Sequence, residues 1–152
     1  MLGYASIRIK REVASPEAGR TSDVSDQAGS HRLRVVIVDD RREVRAPLRE
    51  LLTRETSAIV VAEAEDGEDA AQAAAESQAE LVIMGYQMPH VDSVEATRRV
   101  KAASPSTRVV AFSSAAEHAV ASAFEAAGAS AYFDKTQIDE LVAHIRSLSV
   151  RQ

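Results

Sequence analysis

Short β-branched runs alternate with longer helical patterns along most of this chain, which predicts an α/β fold. The expected architecture is a doubly wound, five-stranded parallel sheet with helices on both faces. Two further observations agree. The apolar runs are continuous, as in strands covered on both sides. Acidic, hydroxyl and basic residues fall just after strand ends, where sheets of this class hold their functional crevice.

Bulk properties narrow the field. A length of 152 residues suits one domain with a proper core. Aromatics make up only 4% and Ala is abundant, which favours helices packed through small side chains. A net charge of −5 argues against a general nucleic-acid binder. The absence of Cys excludes disulfides, thiolate metal sites and Cys nucleophiles. No apolar run is long enough for a membrane span, and Met1 to Lys10 lack the apolar core of a signal peptide. A cytoplasmic location is expected.

Residues 1–32 hold turn and disorder formers such as Ala14-Ser15-Pro16-Glu17 and read as a flexible tail. Within them Ile7 and Ile9 alternate with charges, as in a short strand. Residues 33–150 read as the domain. Val35-Val36-Ile37-Val38 is the first strand, ending in Asp39-Asp40. The helix after it places Val44, Leu48, Leu51 and Leu52 on one face. Pro47 would remove a ladder bond deeper in a helix, so this one is expected to start late or bend. Arg41, Arg42, Arg45, Arg49 and Arg54 read mostly as its solvated face, with a partner surface as the alternative.

Ile59 to Ala62 form the second strand, and Asp66 is expected to cap an Ala-rich helix from Gly67 to about Ser77. Leu81 to Met84 form the third. Asp92-Ser93-Val94-Glu95 resembles a capping box opening a helix to about Ala103, with Pro105 beyond it. Arg108 to Phe112 form the fourth strand. Ser114 has capping-box spacing to Glu117, and the helix it opens ends at Gly128, a left-handed stop. Ala131-Tyr132-Phe133 is the fifth strand, and Thr136 is expected to cap a last helix carrying Ile138, Leu141, Val142, Ile145 and Leu148.

At the carboxyl ends of these strands the fold should gather Asp39, Asp40, Gly85, Ser113, Ser114 and Lys135. Paired acids suit Mg²⁺, which takes oxygen ligands and keeps several waters. A lysine and a hydroxyl suit phosphoryl oxygens. Each alone has a plainer reading: Asp39-Asp40 as a solvated strand end, Lys135 as a surface lysine, Ser113 or Ser114 as a helix cap. His31, His90, His118 and His144 show no ligand spacing, and Asp92 reads as a cap.

Taken together, Val38-Asp39-Asp40, the strand leading into Met88-Pro89, Ser113, and Gly128 to Lys135 resemble the receiver domain of bacterial two-component response regulators, with a flavodoxin-like fold. The resemblance covers nearly everything after the tail. It implies that Asp39, Asp40 and the main-chain carbonyl of Gln87 stand where the family holds Mg²⁺. It implies that Ser113 and Lys135 contact the phosphoryl group, and that Tyr132 is the aromatic that swings inward when the hydroxyl moves. Gly85 stands at the phospho-accepting aspartate and cannot accept a phosphoryl group. Ser93 replaces the glycine usual in that loop, which disfavours positive φ there.

Two unit charges about 4 Å apart interact by roughly 4 kcal/mol at an effective dielectric near 20. Removing one of three carboxylates therefore weakens the pull on a divalent ion and lets Lys135 approach the remaining acids. The expectation is weak Mg²⁺ binding and a closer contact from Lys135 to the acid pair.

The implied function is a single-domain receiver without its acceptor, acting through a protein partner, either a histidine kinase or a downstream signalling protein, and independently of phosphorylation. The family's contact face corresponds to Glu117 to Ala127, Tyr132-Phe133 and Gln137 to Leu148. The alternative is a phosphorylation-dependent switch inactivated by an aspartate-to-glycine change at position 85. An enzymatic role is not expected, because no nucleophile–base pairing supports one. Neither nucleic acid nor membrane is an expected partner.

Overall fold

The computed structural model describes residues 7–8, 31–85, 91–114 and 118–150. Its elements, in chain order, are β1 (Ile7–Arg8), β2 (Arg34–Val38), α1 (Arg42–Glu55), β3 (Ile59–Ala64), α2 (Ala70–Ser77), β4 (Leu81–Met84), α3 (Ser93–Ala103), β5 (Arg108–Ser113), α4 (His118–Ala127), β6 (Ala131–Asp134) and α5 (Ile138–Val150). The sheet order is β1-β3-β2-β4-β5-β6. β2 to β6 are the five parallel strands of the predicted doubly wound sheet. β1 adds a two-residue antiparallel strand at one edge, with Ile7 opposite Ala64 and Arg8 opposite Glu63.

Strand periodicity sorts the core into two layers. Val36, Val38, Val82, Met84, Val109 and Ala111 face one side, against Ala70, Ala73 and Ala74 of α2, Ala96 and Val100 of α3, and Phe124 of α4. Val35, Ile37, Leu81, Ile83, Val110 and Phe112 face the other, against Leu48 and Leu52 of α1 and Leu141, Ile145 and Leu148 of α5. Small Ala side chains let α2 sit close to the sheet, as the composition implies.

Several helix starts differ from the sequence reading. α1 begins at Arg42, ahead of Pro47, and so does not start late. The proline lies just over one turn in and costs the single bond its N–H would have given to Glu43. α2 begins at Ala70, because Asp66 Oδ1 accepts the N–H groups of Glu68 (3.0 Å) and Asp69 (3.2 Å) and shapes a turn before the helix. α5 begins at Ile138, and Thr136 does not cap it: its hydroxyl donates to Asp134. Asp92 caps α3 as expected, accepting from the Glu95 N–H at 2.9 Å. Gly128 closes α4 at φ +115°. Glu117 lies outside the described residues, as do Ala115 and Ala116.

One irregularity has a large effect. The pairing of β2 with β3 slips by a residue between Val35 and Val36, so Ile37 faces Glu63 instead of Ala62. A one-residue slip turns every later side chain to the opposite face. Glu63 is thereby directed toward α1, where Arg45 meets it at 2.9 Å. Both are buried, with side chains 5% and 8% exposed. Arg45 therefore departs from the solvated face expected for the helix arginines. It falls on the stripe of Leu48 and Leu52, at helical spacing, and is buried with them.

Breaking a buried pair from one side strands the other charge. Arg45→Met is expected to cost about 3 kcal/mol in denaturant unfolding, near the low end of that range because Arg49 stands 3.8 Å from Glu63. A second change, Glu63→Leu, in the same chain should recover most of that loss.

Candidate functional site

In a parallel sheet with this strand order, the path of the chain reverses between β2 and β4, and the crevice opens beyond their carboxyl ends. β2 ends at Val38 and β4 at Met84, which are register partners. The next residues are Asp39 and Gly85. The N–H of Gly85 donates to the carbonyl of Val38 at 2.8 Å, which prolongs the ladder and keeps the two together.

Asp39 is buried, and every polar group it carries has a partner. Its N–H donates to the carbonyl of Ala64 at 3.1 Å. Its carbonyl accepts from Arg45 Nη1 at 2.8 Å. Oδ1 accepts the Arg41 N–H at 2.9 Å, and Oδ2 faces the Lys135 ammonium at 3.4 Å. Asp40 is exposed, and among the described residues Lys135 pairs with Asp39 and not with Asp40. The expected approach of Lys135 to the acid pair thus narrows to one member.

Gly85 is buried and lies against this carboxylate. A Cβ added to it would stand 2.5 Å from Asp39 Oδ2, 3.0 Å from Asp39 Cγ and 3.2 Å from the Val38 carbonyl oxygen. A contact of 2.5 Å is one that real Cβ atoms do not make, so a side chain at 85 and the present Asp39 rotamer exclude each other.

The opposite wall comes from β5 and β6. Ser113, the last residue of β5, is buried, and its carbonyl accepts the Lys135 N–H at 2.9 Å. Ser114 is exposed. The Lys135 ammonium also lies 5.5 Å from the centre of the Phe112 ring, a cation–π distance. The turn carrying Lys135 is held by Asp134, whose Oδ1 accepts the Thr136 hydroxyl at 2.6 Å and its N–H at 2.7 Å. Tyr132 is half-buried, with its ring 5.9 Å from that of Phe124.

The structure therefore brings Asp39, Gly85, Ser113 and Lys135 to one rim, with Asp40 at its outer edge. Gln87 lies outside the described residues. Arg45, Arg41 and Phe112 are site neighbours that sequence reasoning did not single out. Only Arg45 carried a usable signal, a charge in register with a buried leucine stripe.

Receiver domains commonly bind Mg²⁺ at their acidic phosphorylation site. Among the described residues the donor set does not fit that ion. Position 85 supplies no side-chain oxygen, and both carboxylate oxygens of Asp39 already take internal donors. Among the described residues no group of three or more acidic, His or Cys side chains converges to hold a metal.

Residues 35–146 match the family model described as the response regulator receiver domain. The chain is 31% identical over 121 residues to the response regulator GacA of Pseudomonas aeruginosa, covering 79% of this chain and 56% of that protein. It is 31% identical over 90 residues to the transcriptional regulatory protein DegU of Brevibacillus brevis, covering 59% and 38% respectively. It thus spans about half or less of the length of these curated relatives. Among solved structures, a two-component response regulator of the LuxR family from Aurantimonas sp. SI85-9A1 superposes with a TM-score of 0.74 at 31% identity, over 80% of this chain and 88% of that one.

Gly85→Ala should force the Asp39 carboxylate off Lys135 and lower stability by about 1–3 kcal/mol, the range for overpacking, as read by thermal unfolding. The Asp134 carboxyl is held below its ordinary range, first by the Thr136 hydroxyl and then by the Thr136 N–H. A depressed folded value means that its contribution is present at neutral pH and is lost as pH falls through that value. Thr136→Ala is expected to raise the Asp134 midpoint toward the ordinary range in a carboxyl ¹³C NMR titration.

Proposed function

The chain belongs to the response regulator receiver family, and from that premise we propose that it signals through protein contact without accepting a phosphoryl group. The observation that carries this is Gly85. Acyl-phosphate formation needs a carboxylate oxygen to attack phosphorus. Position 85 has no side chain, and the space that one would enter is crowded by Asp39 Oδ2. Residues 33–150 are the proposed receiver unit, and Ile7–Arg8 from the segment before it add the edge strand β1 to its sheet. The engagement of both Asp39 carboxylate oxygens by internal donors supports a site that works without Mg²⁺.

Receiver domains interact with histidine kinases and other proteins. The surface proposed for this chain is built by α4, β6 and α5. It includes a cavity of about 210 Å³ bounded by Ala121, Phe124, Glu125 and Tyr132 among others. On the other face of β6 the Phe133 and His144 rings meet at 5.5 Å. An apolar partner side chain suits the cavity. The proposed role is signalling, with no catalysis by this chain. A cytoplasmic location fits the described helices, none of which is long and apolar enough to cross a membrane.

The retention of Asp39, Ser113 and Lys135 around the gap favours a second reading, a phosphorylation-dependent switch inactivated by glycine at 85. One experiment separates them. This chain and its Gly85→Asp variant are incubated with acetyl phosphate and Mg²⁺, then weighed intact and tested against a candidate histidine kinase. The present chain should gain no phosphoryl mass and still bind. Binding only by a phosphorylated Gly85→Asp variant would favour the switch.

A further inference from the structure

We propose that Asp39 has taken over the electrostatic role of the missing side chain. Reaching across from the end of β2, its carboxylate fills the space over Gly85 and is the charge that holds Lys135 in place. Asp39 is thus a positioning residue for the turn after β6, and the site needs neither a metal nor a phosphoryl group to hold that turn. This deepens the phosphorylation-independent reading and rests on it.

The first support is steric. Oδ2 lies 2.5 Å from where a Cβ at position 85 would be, close to the distance between an aspartate's Cβ and its own carboxylate oxygens. Positions 39 and 85 therefore compete for one volume. The second is electrostatic. The same oxygen is the one that faces the Lys135 ammonium at 3.4 Å. The lysine side chain is 28% exposed and the aspartate's 9%, so the pair is shielded mainly from the aspartate side.

The third support is preorganisation. Asp39 is fastened on its other three polar atoms, by Ala64, by Arg41 and by the buried Arg45. Its carboxylate is thus presented rather than free to wander. Asp40, one residue on, is turned to solvent and makes no such contribution.

The consequence reaches the proposed contact face. Lys135 is tied by its N–H to Ser113, and Tyr132 lies three residues earlier on the strand that leads into it. With Asp39 as the standing counter-charge, this edge of the sheet has one setting. A site built this way presents its partner face constantly.

The test reads Lys135 in the chain alone, so its failure is distinct from failure to bind a partner. Acetylation by limiting acetic anhydride in Mg²⁺-free buffer is followed by peptide mass. Lys101, whose ammonium is held by the carbonyls of Pro105 and Thr107, is the internal reference for folding. Asp39→Asn should raise the Lys135 rate about two- to fivefold over Lys101, the range for a partly exposed pair. Gly85→Ser, which leaves Asp39 intact but fills its space with a neutral group, should raise it similarly. Asp39→Ala combined with Gly85→Asp should return the rate to its original value, because the carboxylate then comes from β4. Unchanged Lys135 labelling in Gly85→Ser, or no recovery in the double variant, would overturn the proposal.

Discussion

The β2–β4 pairing governs the site. Because Val38 and Met84 are in register, the residues that follow them cannot avoid each other. A carboxylate ending one strand stands beside a glycine ending the next, and the glycine's missing side chain is what lets the carboxylate turn inward. With a larger residue at 85 the same backbone would push Asp39 outward. The charge arrangement of the rim follows from strand register and from one absent Cβ.

The second constraint lies one strand over. The slip between β2 and β3 sends Glu63 to the α1 side, and Arg45 is buried against it. Burying two charges is costly unless their geometry is good and other hydrogen bonds complete them. Here Arg45 also donates to the Asp39 carbonyl, so the pair that fastens α1 to the sheet also fastens the first residue of the site. Core and site share a residue, which ties the position of Asp39 to the packing of the domain.

The rim also shows how its charges balance. Three carboxylates around one lysine leave a negative excess that favours a divalent cation. With Gly85 in place, Asp39 and Lys135 offset each other and Asp40 is left in solvent. Ser113 holds the Lys135 main chain and the Phe112 ring lies beside its ammonium. Tyr132 is half-buried, with its ring against that of Phe124.

Much of this was legible in the chain itself. Continuous β-branched runs separated by capped helices determined five parallel strands, and their ends determined that Asp39, Gly85, Ser113 and Lys135 would share a rim. Those signals are local: a strand's burial is written in its own residues, and so is a cap such as Asp92. The tertiary structure alone decided which of the two acids faces the lysine, that the space over Gly85 is filled by Asp39, and that Arg45 is buried. It also showed Asp66 and Thr136 shaping turns instead of capping helices. These outcomes depend on register and on distances between elements far apart in sequence. A one-residue slip in β3 or a single rotamer at position 39 changes them without altering any local pattern.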